Sequence, residues 1–102
     1  TAVDDANGPP QATAITVIYP NPFNPRTTIA FELAATGSIE LAIYDLRGRL
    51  VRVVTSGQQP IGHHQSTWDG QDNAGRAAPT GTYFCRLSTP QGSHTKKMTL
   101  AR

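Results

Sequence analysis

A single cysteine, Cys85, stands in 102 residues, so no internal disulfide can form. A lone thiol within alternating apolar residues is expected to be buried and inert. A catalytic thiolate would need a base at hand, and His63 and His64 lie on another segment. Long apolar runs are also missing: nothing approaches the roughly 18 residues of a membrane-crossing helix, so no membrane-spanning segment is expected. Charge is sparse, with a net value of +2. That is too mild to predict a nucleic-acid partner, and strand-borne Arg and Lys more often form a solvated face. No stretch shows the period of an amphipathic helix. A starting methionine and a signal peptide are absent, and the expectation is a module appended to an upstream cargo domain that carries the activity.

What is present is a period of two, broken by turn residues. At this length a chain buries roughly two-thirds of its unfolded surface, so neither metal nor disulfide is required for folding. Residues 1–13 are small, acidic and Pro/Gly-containing and read as a flexible linker; the domain is expected to occupy residues 14–102. Ile15, Val17 and Tyr19 alternate as a first strand. Tyr19-Pro-Asn-Pro-Phe-Asn-Pro25 follows, where three prolines exclude a helix, Asn21 and Asn24 suit turns, and Phe23 plugs the edge of the core. Ile29, Phe31 and Leu33 form one face of a second strand; Ile39, Leu41 and Ile43 form that of a third, with Glu40, Ala42 and Tyr44 outward. Asp45 to Gly48 reads as a hairpin turn. A fourth strand spans Leu50 to Val54, and Ser56-Gly57 with Pro60 and Gly62 turns the chain toward a fifth that ends at Trp68. A polar loop, Gln71 to Pro79, precedes a sixth strand from Gly81 through Leu87, and Thr95 to Ala101 gives a seventh. The fold class expected is all-β, a seven-stranded immunoglobulin-like β-sandwich, with Trp68 and Tyr83 anchoring one end of its core.

Chemistry-bearing groups are few. Asp69, Asp72 and Asn73 resemble part of a calcium loop, but the twelfth position, where an EF-hand loop has a bidentate glutamate, is Thr80. Turn capping by the two aspartates is the stronger reading, and neither a metal nor any other cofactor is expected. The same aspartates lack a third group to tune them as a hydrolytic pair. His63 and His64 are neighbours on a strand, so their side chains leave on opposite faces. His64 shares its face with Ser66 and Trp68, as a hydrogen-bonded residue at the core margin. Outward Tyr44 and Phe84 read as a cross-strand pair, with sugar stacking as the less favoured use. No catalytic residue is assigned.

Read together, Tyr19 to Pro25, Thr28-Ile-Ala-Phe31, Ile43 to Val51, Trp68 to Asp72 with Gly75-Arg76, Gly81 to Phe84, and Lys97-Met-Thr-Leu100 resemble the C-terminal sorting domain of type IX secretion cargo. The same run is similar to the immunoglobulin-like domain of flagellar hook-capping proteins. Ser66 and Cys85 depart from the pattern at inward positions. The first resemblance implies a non-catalytic signal that directs an upstream cargo across the outer membrane of a Gram-negative bacterium. It also implies secretion or display on the cell surface by way of the periplasm. The implied partners are the outer-membrane type IX translocon and a sortase-like protease that cuts in the linker before Ala14. The recognition elements it implies are Pro20, Asn21 and Pro22, then Gly81, Thr82 and Tyr83, then Lys97, Met98, Thr99 and Leu100. If the last strand lies at a sheet edge, its backbone would offer the translocon a strand-addition surface. The alternatives are a structural or carbohydrate-binding accessory module of a secreted enzyme, and a flagellar hook-capping domain.

Overall fold

The fold follows from where the alternation holds and where it slips. A computed structural model describes residues 11–102, so residues 1–10 of the expected linker, and a cleavage point among them, lie outside the described residues. The strands are β1 (Ala14–Tyr19), β2 (Thr27–Leu33), β3 (Gly37–Tyr44), β4 (Leu50–Gln59), β5 (Gly62–Trp68), β6 (Gly81–Thr89) and β7 (Gly92–Leu100). They form one sheet in the order β1-β2-β5 and a second in the order β4-β3-β6-β7, with antiparallel neighbours throughout. Hairpins join β3 to β4 and β6 to β7, while the other connections from β2 onward cross between sheets. This is an immunoglobulin-like sandwich.

Strict alternation builds the centre of both layers. On β2 the residues Ile29, Phe31 and Leu33 are buried, joined by Thr27 at 1% exposure. Facing them are Ile39, Leu41 and Ile43 of β3, Tyr83, Cys85 and Leu87 of β6, and Met98 and Leu100 of β7. Trp68 closes one end: its ring lies 5.4 Å edge-on from Tyr83 in the opposite sheet and 5.6 Å from Phe23. Its indole N–H donates to the Gln71 carbonyl at 2.9 Å, so burial leaves no polar atom of the ring unsatisfied. Trp68 and Tyr83 therefore face each other across the sandwich and do not pair within one sheet. Ser66, polar at an inward position, is matched by Thr55 of β4 through a 2.7 Å hydroxyl–hydroxyl bond between the sheets. Beside it His64 stacks on Phe31 at 5.3 Å and its Nε2 lies 2.8 Å from the Pro60 carbonyl oxygen.

Three stretches depart from expectation. In β1 the pairing shifts between Ile15, opposite Phe31, and Val17, opposite Ala30. A bulge of this kind reverses the faces beyond it. Ile18 is turned into the core in place of Val17 and Tyr19, which are 49% and 74% exposed. In β4 the ladder continues past Val54, with Ser56 opposite Glu40 and Gly57 opposite Ile39. Pairing along the whole of β3 outweighs the weak strand preference of Ser-Gly-Gln-Gln, and only Pro60 and Ile61 remain for the turn. For the same reason β7 begins at Gly92, opposite Thr89, three residues before the expected start. Ala42, expected outward, is 1% exposed because its methyl lies between the longer Val53 and Arg86 opposite it.

The Asp69-Gly70 break positions the polar loop that follows. Gly70 has φ +78°, and a Cβ there would sit 2.8 Å from the Pro25 carbonyl oxygen and 3.0 Å from the Arg102 guanidinium. Gly48, in the β3–β4 turn at φ +80°, would meet nothing within 4 Å. Gly70→Ala is expected to cost about 2–3 kcal/mol and Gly48→Ala about 1 kcal/mol, since only the first adds a clash to the backbone penalty. Urea unfolding followed by Trp68 fluorescence measures both.

Candidate functional site

The proline-rich connector is fastened to the outer edge of β7. The Asn21 side chain acts as a strand residue would: its Oδ1 accepts from the Thr99 amide at 3.0 Å and its Nδ2 donates to the Lys97 carbonyl at 3.5 Å. Next, the Phe23 amide donates to the Thr99 carbonyl at 3.0 Å and the Ala101 amide donates to the Phe23 carbonyl at 2.9 Å. Phe23 and Leu100 form a parallel bridge. Below, the Thr27 hydroxyl donates to the Pro20 carbonyl at 2.7 Å. Asn21 thus reaches across to β7 instead of closing its own turn.

These bonds gather the expected recognition elements at one end of the domain. Gly81 lies opposite Leu100, Thr82 opposite Thr99, and Tyr83 opposite Met98. Their exposure divides them. Tyr83, Met98 and Leu100 are buried and shape the core, whereas Pro20, Asn21, Pro22 and Lys97 are exposed. The Tyr83 hydroxyl donates to the Pro79 carbonyl four residues upstream, a corner like that of immunoglobulin domains. Burial, then the nearby Asp45 charge, holds that phenol above its ordinary pKa.

Strand β7 does lie at a sheet edge. The backbone from Lys97 to Ala101 is nevertheless occupied by Asn21 and Phe23, so the expected strand-addition surface is not free there. The remaining stretch, Ser93 to Lys96, carries His94 and Lys96 at positions opposite inward Leu87 and Cys85. A lysine on an exposed edge strand discourages another strand from docking. The edge of β4 is treated alike: the Asn73 amide donates to the Val51 carbonyl at 2.9 Å, and Asn73 Oδ1 accepts from the Val53 amide at 3.1 Å.

Asn73 is thereby accounted for, as are its companions in the partial calcium loop. Asp69 Oδ1 accepts from the Gln71 amide at 3.1 Å, and Asp72 Oδ1 accepts from the Ala74 and Arg76 amides at 2.9 Å each. These are turn caps. Among the described residues no three acidic, histidine or cysteine side chains cluster as a metal site would need. Tyr44 and Phe84 are paired in register, with the Arg86 guanidinium 5.9 Å from the Tyr44 ring centre. His63 Nδ1 lies 3.2 Å from a Glu32 oxygen. Cys85 is fully buried, and that burial pushes its thiol up to about 12.

Arg102 escaped the sequence reading, because an arginine beyond a final strand looks like any solvated cation. Its guanidinium donates to the Ala78 and Gly70 carbonyls at 2.8 Å each, and its amide donates to Thr80 Oγ1 at 3.1 Å. The 69–80 loop is therefore tied to β7.

The FlgD Ig-like domain model matches residues 18–93. A curated relative, the basal-body rod modification protein FlgD of Escherichia coli (strain K12), is 34% identical over 58 residues, which are 57% of this chain and 25% of that protein. The match thus spans about a quarter of the relative's length. Dimeric latent PorU from Porphyromonas gingivalis has a TM-score of 0.69 at 22% identity, covering 88% of this chain and 9% of that one. PorZ, described as an essential bacterial surface component of the type-IX secretion system of the same organism, has a TM-score of 0.58 at 20% identity, covering 97% and 12%. At these identities the two structures speak to fold alone.

Two outcomes test the geometry. Cys85 is expected to resist an aromatic disulfide reagent at pH 8 in the folded protein and to react fully in urea, because a raised pKa leaves almost no thiolate. Asn21→Ala is expected to cost about 1 kcal/mol, with hydrogen exchange accelerated at the Thr99 amide.

Proposed function

This chain belongs to the FlgD Ig-like domain family, and we propose that within it the domain is a non-catalytic sorting module for an upstream cargo. In this reading the outer-membrane type IX translocon recognises the folded domain after the cargo reaches the periplasm. The cargo is then secreted or displayed on the cell surface, and a sortase-like protease removes the module within the segment before Ala14. The observation that carries the reading is the ladder joining Asn21 and Phe23 to β7. It presents Pro20, Asn21, Pro22 and Lys97, elements far apart in the sequence, on one surface. The likeness to PorZ, a surface component of such a system, supports the setting.

A second reading has its own support. The 34% identity to a basal-body rod modification protein favours a role in flagellar assembly, with the same surface turned toward flagellar subunits.

Residues 14–102 fused behind a signal peptide and a reporter enzyme, in a host with a working type IX translocon, are expected to deliver the reporter to the surface or medium. Retention in the periplasm with the domain folded would overturn the sorting proposal. The flagellar reading instead expects a chimera of the Escherichia coli relative carrying this domain to restore motility to a strain lacking that protein.

A further inference from the structure

The sheet β4-β3-β6-β7 turns one face to the core and the other outward. Its register sets the outward side chains in rows across the strands. One row, Leu50, Tyr44, Phe84 and Lys97, is aromatic at its centre. In the next, Ala42 lies between Val53 and Arg86, with Thr95 beyond. In the third, Ser56, Glu40 and Ser88 lie side by side. Rows on one face recur about every 7 Å along a strand, so from Tyr44 to Ser38 the strip runs about 20 Å.

This strip is a trough with an opening at each end. Ala42, 1% exposed and bearing only a methyl, keeps its middle low. A concavity of about 240 Å³ opens at the aromatic end, among Tyr44, Leu46, Gly48, Phe84, Arg86 and Thr95. Another of about 470 Å³ opens at the far end, among Ser38, Glu40, Ser56, Gly57, Ser88 and Pro90. Charge along the strip is balanced, Arg86 and Lys97 against Glu40 and Asp45. Asp45 is spent on the Arg47 and Arg49 amides and Arg49 Nε. The other polar groups are not spent. Inward Thr55 is bonded to Ser66, but among the described residues no hydrogen bond or ion pair engages the side chains of Ser38, Glu40, Ser56, Arg86 or Ser88. The Arg86 guanidinium is 5.9 Å from the Tyr44 ring centre, the outer limit of a cation–π contact, which leaves its N–H groups for a ligand.

The geometry points to a binding strip for an extended, neutral polysaccharide, with one sugar ring stacked on the Tyr44–Phe84 pair and the following units hydrogen-bonded by Arg86, Glu40 and the serines. A pyranose presents an apolar C–H face that suits an aromatic pair and a rim of hydroxyls that both donate and accept. Arg86 supplies donors, Glu40 supplies acceptors, and serine hydroxyls serve as either. Nucleic acid needs cations in excess to meet its phosphates, and here none are in excess. A docked peptide takes its affinity from a large side chain in a central pocket, and the middle of the trough is the methyl of Ala42. The strip lies on the face of the sheet, apart from the Asn21–β7 ladder at its edge, and the inference does not rest on the sorting proposal.

The test titrates the full chain, observed by ¹⁵N–¹H correlation spectra, with the β-1,4-linked hexaoses of glucose, mannose and N-acetylglucosamine. Shifts within residues 38–44, 53–58 and 84–95 are expected with at least one of them. Affinity for that hexaose should fall about tenfold in Phe84→Leu, which keeps an apolar side chain and removes the ring, and in Arg86→Ala at an exposed position. Unchanged near-ultraviolet dichroism of Trp68 would show each variant folded. Raised salt should leave the binding as it is, since no net charge is engaged. No shifts with any hexaose at millimolar concentration, shifts centred outside this face, or undiminished binding by either folded variant would overturn the inference. So would a salt-sensitive preference for polygalacturonate or heparin over the neutral hexaoses.

Discussion

Everything in this domain is arranged around the indole of Trp68. It ends β5, faces Tyr83 of the other sheet, and receives Phe23 from the connector, so three segments far apart in the chain meet on one side chain. Burying an aromatic of this size removes roughly 150–250 Å² from water, the largest single contribution any residue here can make. Its N–H reaches Gln71, which fixes where the polar loop starts. Arg102 then closes that loop onto β7 through the Gly70 and Ala78 carbonyls. The β7 ladder owes its position to this cluster, since Phe23 belongs to both.

How much of this was legible depends on whether side chains or backbone decided the matter. The inward residues of β2, β3 and β6 read correctly because alternation holds over all of β2 and through Ile39–Ile43 and Tyr83–Leu87, with only Ala42 breaking it, which leaves one register open. Trp68 and Tyr83 were legible as anchors, and Phe23 as a plug, because large apolar residues among turn residues have few places to go. β1 was misread because a bulge carries no compositional mark: Val17 and Ile18 are equally apolar, and only the pairing of Ile15 with Phe31 decides between them. The far half of β4 was missed because its Ser-Gly-Gln-Gln sequence speaks against a strand, while its partner β3 supplies the pairing that overrides it.

Of the candidate site, the motifs were legible but their division of labour was not. Tyr83, Met98 and Leu100 belong to the resemblance because they build the core, while exposed Pro20, Asn21, Pro22 and Lys97 and half-buried Gly81, Thr82 and Thr99 remain for a partner to touch. Asn21 and Asn73 look like ordinary turn residues in the chain. In space each stands in for a missing strand, giving an edge one acceptor and, from side chain or backbone, one donor. That solves the exposure of unpaired backbone groups without adding a strand. Arg102 gave no signal at all, since its partners are carbonyl groups that every residue possesses.

The fastening of residues 21–23 to β7 also bears on when the sandwich can form. Within the domain the connector is made well before its partner strand β7, so its hydrogen bonds and the final wall around Phe23 wait for the strands between them. A topology dominated by such distant pairings closes slowly and all at once. Until β7 is in place the connector has no finished surface to offer, so residues 20–23 take their final form only with the domain's own seventh strand.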